Sequence, residues 1–160
     1  MKSTNNSHTH IVTSNRKAHF NYELSDFLEC GIVLKGTEIK AIRVHGATIN
    51  DAYIVFKKDE AYVINMHIAP YEKGNIFNHD PLRSRKLLMH KKEIIRYRLT
   101  SETTNQVIVP TKIYFKKGRA KIEIALGKPK KLYDKRESLK KKDQQKEIRK
   151  VLKNKGKPIY

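Results

Sequence analysis

Between residues 82 and 102 seven cations, Arg83, Arg85, Lys86, Lys91, Lys92, Arg96 and Arg98, stand against two acids, Glu93 and Glu102. That is more positive charge than solubility requires, and the chemistry it suits is contact with phosphate groups. Two smaller basic groups point the same way, Asn15-Arg16-Lys17 and the run Lys116-Lys117-Gly118-Arg119. The largest lies at the end of the chain. Fourteen Lys and Arg against four Asp and Glu in residues 128–160 give that stretch +10 of the total +19. With a pI near 10.0 the protein attracts anions, a statement about partners and not about fold. A compact body trailing a cationic segment suits a polyanion larger than the body, structured RNA first of all.

Groups able to do catalysis are sparse. The sequence holds no H-E-x-x-H, no G-x-S-x-G, no phosphate loop and no G-x-G-x-x-G. Twelve acids are spread through residues 15–127, none spaced as a paired-carboxylate or two-metal site. The one cysteine, Cys30, excludes an internal disulfide and a multi-cysteine zinc site, and fits a reducing compartment. His8 and His10, a pair without further ligands, read as solvated. No catalytic residue, metal or cofactor is expected. Glu29 precedes the apolar run Cys30-Gly31-Ile32-Val33-Leu34, a place for a half-buried carboxylate. Two readings of it stay open: a structural group bonded to backbone or an arginine, or a group that meets base or ribose donors. Tyr133, beyond the core, is the aromatic best placed to stack on a base, while Tyr22, Tyr53, Tyr62 and Tyr114 read as core or barrel surface.

These residues need a scaffold. Phe20, Tyr22 and Leu24 alternate, predicting a strand over 18–24, and Phe27 to Leu34 reads as a buried strand in which Gly31 allows a bend or bulge. Thr37 to His45 fits a short helix capped by Thr37 and stopped by Gly46, with Lys40 and Arg43 on one outer edge. Ile49 to Phe56 and Ala61 to Ile68 form a hairpin turning at Lys57-Lys58-Asp59-Glu60, and a long loop follows from Pro70. Asp80-Pro81 reads as a helix start, and Leu82, Leu87, Leu88, Ile94, Ile95 and Leu99 as an apolar stripe, with room for a break near His90. Gln106 to Phe115 and Ala120 to Leu126 form a second hairpin, Pro110 marking an edge or bulge. Six mostly antiparallel strands with two or three helices predict a mainly β fold, a small closed or nearly closed barrel.

Outside this body, residues 1–14 are polar and are expected to lack structure, and residues 128–160 are too poor in apolar side chains to fold alone. Ile148, Val151 and Leu152 at i, i+3, i+4 encode a weak helix that a polyanion would stabilise by neutralising its charge. The expected organisation is therefore 1–14, 15–127 and 128–160. No apolar run approaches the roughly 20 residues of a membrane span, and the N-terminus has no secretory-type stretch. The expectation is a soluble, cytoplasmic protein.

Several segments in order also resemble one family: NRKA at 15–18, ECGIVLKGTEIKAIR at 29–43, INDAY at 49–53, DPLRSRKLLMHKKEI at 80–94 and KKLYDKR at 130–136. The chain is similar in these to the SsrA-binding proteins, over Asn15 to about Leu152. The resemblance implies an oligonucleotide-binding type barrel with flanking helices and a C-terminal tail that is unstructured when free. It implies a non-catalytic protein that binds the tRNA-like domain of transfer-messenger RNA and delivers it to stalled ribosomes, where the truncated peptide is tagged. Alanyl-tRNA synthetase and elongation factor Tu would act on the same RNA. By position, Glu29 falls at the family's RNA-binding glutamate, with Cys30 in the middle of E-A-G. Leu88 and His90 fall in the K-L-L-L-(H/N) motif, with Met89 as a departure. Asn15, Arg16 and Lys17 match N-(K/R)-(K/R)-A, and Lys40 and Arg43 match K-x-x-R. Arg83, Arg85 and Lys86 belong to the same basic motif before Leu88. Asp134, Lys135 and Arg136 match the tail D-K-R, with Tyr133 before it and Lys128 and Lys131 supplying basic neighbours for small-subunit ribosomal RNA. Gly127-Lys128-Pro129-Lys130-Lys131 departs from the usual A-(R/K)-G-K-K, and His19 is given no role because Phe20 holds the family's histidine place. Two rival classes stay open: a nuclease or RNA-modifying enzyme, and a general nucleic-acid packaging protein.

Overall fold

Short strands joined by tight turns build the first of two compact units, which divide after Lys128. The computed structural model describes residues 9–74 and 78–155. In chain order the first unit contains β1 (Thr9–Ser14), α1 (Arg16–Asn21), β2 (Tyr22–Ile32), α2 (Gly36–His45), β3 (Tyr53–Lys57), β4 (Glu60–Ile64), β5 (Arg85–Leu88), α3 (Lys91–Thr104), β6 (Val107–Lys116) and β7 (Arg119–Pro129). The strands form one sheet of order β1-β6-β7-β2-β5-β4-β3.

The hairpins lie where the turn residues put them. Lys58 and Asp59 between β3 and β4, and Lys117 and Gly118 between β6 and β7, all take positive φ, the backbone twist that matches a two-residue turn to its strands. The ladder of β6 and β7 shifts register between Pro110 and Lys112, so the bulge expected at Pro110 is present. Inside the sheet lies a core of Ile32, Ala41, Ile42, Ile49, Val63, Met66, Ile68, Leu87, Tyr97, Ile113, Ile122 and Ile124. Burial pushes the Tyr97 phenol up to about 12, and its hydroxyl donates to the backbone carbonyl of Asp26.

Four sequence expectations are corrected. Residues 9–14 have structure: β1 pairs antiparallel with β6, Thr9 opposite Lys116, because Val12 packs on the core; residues 1–8, and with them His8, lie outside those described. Residues 16–21 are a helix, not the start of a strand, because the Asn15 side chain caps it by accepting from the Ala18 N–H at 2.9 Å. The helix drawn from Asp80 does not begin there. Arg85 and Leu87 alternate with Lys86 and Leu88 as a strand, and the helix starts after His90. Finally the barrel is not closed. β1, beyond the six strands expected, forms one edge and β3 the other; β3 packs against β6, so the sheet curls, without a hydrogen-bonded seam among the described residues. The oligonucleotide-binding type of description holds at that level.

Helix α2 begins one residue before the expected cap. Glu38, not Thr37, closes its first turn by accepting from the Lys35 N–H at 2.7 Å, and Gly46 ends it with φ 74°. The second unit contains α4 (Leu132–Lys155). Residues 132–155 are helical, the conformation encoded by the i, i+3, i+4 spacing of Ile148, Val151 and Leu152, in a span rich in Lys and free of Gly and Pro. Leu139, Ile148, Val151 and Leu152 remain exposed along it. No helix among the described residues is long and apolar enough to cross a membrane.

Candidate nucleic-acid interface

The alternation of β5 decides what faces outward. Arg85 and Leu87 point into the protein, while Lys86 is half-buried and Leu88 is 57% exposed. Antiparallel pairing sets Leu88 opposite Gly31 of β2, two residues from Glu29. A Cβ on Gly31 would lie 3.1 Å from Leu88 Cδ1, so glycine is what lets Leu88 lie across the strand there. His90 follows at the N-cap of α3, its backbone N–H donating to Glu93 Oε2 at 3.0 Å. Strand, turn and helix thus bring Glu29, Lys86, Leu88 and His90 to one cleft of about 720 Å³. Lys58, Asp59, Glu60, Lys91 and Lys121 complete its rim.

Glu29 is a surface carboxylate with defined partners. The Tyr114 hydroxyl donates to it and Lys116 Nζ stands 3.3 Å away. The Tyr114 hydrogen bond, more than Lys116, holds its carboxyl below the usual range against the opposing effect of burial. The same contact and, above all, burial push the Tyr114 phenol up. The carboxylate is anchored by a tyrosine and a lysine, where the structural reading expected backbone or an arginine, and it lines an open cleft. Lys86 donates to Glu60 at 2.7 Å, which raises its ammonium and depresses the Glu60 carboxyl. Both side chains keep 41% of their surface in solvent, so the pair is a rim feature and not a source of stability.

Other expected contacts prove to be architecture. Arg85 is wholly buried: Nε donates to Glu38 Oε1 at 2.8 Å and Nη1 to the Met66 carbonyl at 2.7 Å. Arg83 joins the same carboxylate through Nη2 at 2.8 Å. Burial alone would raise the Glu38 carboxyl, but donors from Arg83, the Lys35 backbone and Arg85 outweigh it and leave it lowered. Asn15, 1% exposed, donates from Nδ2 to the carbonyls of Ile49 (3.0 Å) and Pro110 (2.8 Å). Neither Arg85 nor Asn15 presents a group to a ligand. Both pin the backbone that carries those that do, because a buried polar head must be fully bonded.

The remaining cations are on the surface. Arg16 is exposed, and Lys17 pairs with Asp51 at 2.5 Å. Lys40 lies over the Tyr71 ring and Arg43 over Phe115, 5.8 and 5.3 Å from the ring centroids. Lys91, Lys92, Arg96 and Arg98 share α3, with Arg96 bonded to Asp26 and Arg98 to Asp59. The continuous cationic face read from 83 to 98 is therefore divided: Arg85 is buried, Arg83 is half-buried on the same carboxylate, Lys86 lies at the cleft, and the rest lie on a helix surface. Sequence reading missed Tyr114, Lys116 and Lys121 as neighbours of Glu29. The alternation of the 106–126 hairpin was the available signal. Lys128 is exposed at the end of the first unit; in the second, Lys131, Tyr133, Asp134 and Arg136 are exposed and Lys135 is half-buried. No cluster of His, Cys, Asp or Glu among the described residues could hold a metal ion. Burial above all pushes the Cys30 thiol up to about 12, where it is inert.

Known proteins share this sequence across both units. The family model described as "SmpB protein" matches residues 12–154. The SsrA-binding protein of Ureaplasma parvum serovar 3 is 55% identical over 139 residues, covering 87% of this chain and 99% of its own. That of Malacoplasma penetrans is 51% identical over 142 residues, 89% and 97%, and that of Enterococcus hirae 49% over 144 residues, 90% and 94%. A solved structure described as "tmRNA-SmpB: a journey to the center of the bacterial ribosome" is 42% identical with a TM-score of 0.63, over 75% of this chain and 85% of that one. The chain belongs to the SmpB family, that of the SsrA-binding proteins.

Proposed function

We propose that this protein binds the tRNA-like domain of transfer-messenger RNA and carries it to stalled ribosomes, where the truncated peptide receives a degradation tag. The observation that carries this reading is the family match from residue 12 to residue 154, which takes in the folded unit and the tail helix together. It is a binding protein and not an enzyme. The cleft holding Glu29, Lys86, Leu88 and His90 supports recognition by shape and polar selectivity, the mode RNA helices and loops require. Exposed Arg16, Lys17, Lys40 and Arg43 supply phosphate contacts outside it.

The tail acts second. Lys128, Lys131, Tyr133, Lys135 and Arg136 meet small-subunit ribosomal RNA, with Asp134 in the first turn of α4 favouring the helix there. Ribosomal phosphates screen the crowded lysines and hold the helix in a channel that absent message leaves free. Occupancy of that channel is then sensed without reading a codon. Alanyl-tRNA synthetase and elongation factor Tu act on the bound RNA and not on this chain, and the setting is the cytoplasm.

The test is capture of the full chain from cells followed by sequencing of its RNA, with competition in vitro. Enrichment of transfer-messenger RNA, and displacement by tRNA-like RNA far better than by duplex DNA or unrelated RNA, is expected. Equal competition by all three would mean a general packaging protein, and turnover of the RNA would mean an enzyme.

A further inference from the structure

Across the ridge formed by Gly31 and Leu88, a second recess of about 370 Å³ adjoins the Glu29 cleft and shares Gly31, Leu88 and Lys121 with it. The two differ in chemistry. Glu29, Asp59, Glu60 and Glu93 line the first together with four lysines, whereas no carboxylate among the described residues lines the second. Its walls are largely apolar, Val33, Ile39, Leu88 and Phe115 among them, and among the described residues its charged members are Arg119 and Lys121. Val33 is 43% exposed and Leu88 57%. Arg43 stands over the Phe115 ring.

An apolar recess edged only by cations, continuous with an RNA-binding cleft, suits a flat uncharged ring attached to an anionic chain. Single-stranded RNA loops offer that group, an unstacked base between two phosphates. We propose that this recess receives one unstacked nucleobase of the bound tRNA-like RNA, packed against Val33, Leu88 and Phe115, with its flanking phosphates at Arg119 and Lys121. Leu88 then has a double duty, closing the floor between the base recess and the polar cleft of Glu29. The inference rests on the function proposed above and gives it a subsite.

The test uses the full chain and a set of tRNA-like RNAs, each with one loop nucleotide made abasic. One position should bind wild-type protein about tenfold more weakly when its base is removed. The salt dependence should not change, because the phosphate remains. The variant Val33→Lys adds a cation to an exposed position while filling the recess. It should bind intact RNA about tenfold more weakly and make the sensitive position indifferent to base removal. A merely electrostatic surface would instead bind Val33→Lys as well as or better than wild type, which would overturn the proposal. So would an abasic scan of wild type in which no position matters, a result independent of how the variant folds. Failure of wild type to prefer tRNA-like RNA at all would strike the function itself and not the subsite.

Discussion

Charge is used differently in the two units. In the first, every described ion pair has an architectural or rim place, from the buried Glu38–Arg85 contact to the exposed Lys17–Asp51 pair. In the second, none of the described ion pairs lies on α4, although residues 132–155 hold ten Lys and Arg. A cation already bonded inside the fold stabilises that fold. A cation left to water adds field and little stability until an anion arrives. The body is thus a finished structure with a polar cleft, and the tail helix is charge held ready for a partner.

Separating the two units should have the largest effect. Removal of residues 131–160 should leave binding of tRNA-like RNA nearly intact and abolish peptide tagging in a stalled-ribosome assay. Joint loss of both would break the division. The salt dependence sharpens it. With six to ten phosphates touched, affinity should fall by roughly 10³–10⁵ between 50 and 200 mM salt. The truncated protein should show almost the same slope, and a slope cut in half would assign much of the RNA contact to the tail.

The next effect is on stability. Glu38 is fully buried and accepts from Arg83, Arg85 and the Lys35 backbone. Glu38→Ala leaves the Arg85 guanidinium uncompensated, and should cost about 3–5 kcal/mol in urea unfolding. Lys141→Ala on the exposed α4 should change it by no more than about 0.5 kcal/mol. Equal effects would mean that the tail is part of the folded core.

Much of this was legible in the sequence, and the failures have a common cause. Both hairpins could be read because a two-residue turn is a local device, set by residues such as Lys117 and Gly118. The cleft could be approached because Glu29, Leu88 and His90 sit in recognisable segments. Arg85 was misplaced because its partner Glu38 lies 47 residues away, and charge says nothing about what it meets across such a distance. Asn15 failed likewise, bonding 34 and 95 residues along the chain. The helix over 80–90 failed because a strand of four residues, Arg85–Leu88, is too short for its alternation to stand out against the 3.6 period that Leu82, Leu87 and Leu88 suggest. Residues 9–14 were judged by polarity, while pairing with β6 satisfies their backbone whatever their side chains.

Acid gives a smaller effect confined to the first unit. The Glu38 carboxyl lies below its ordinary value of 4.5 in the folded protein, since its donors outweigh burial. The folded state therefore binds that proton less readily than the unfolded chain does. The stability this group contributes is complete above about pH 4.5 and is lost as pH falls through the folded value. Glu29 and Glu60 shift in the same direction but are well exposed, so solvent weakens their share. The urea midpoint of wild type should thus be flat from pH 7 to 5 and fall below 4.5. Glu38→Gln should start lower and fall less, so that the two curves converge in acid. The protein lacking residues 131–160 should follow the wild-type curve. Parallel curves for wild type and Glu38→Gln would mean that the buried carboxylate is not what acid attacks. A shallower fall after truncation would place part of the acid response in the tail and dissolve the contrast between bonded and waiting charge.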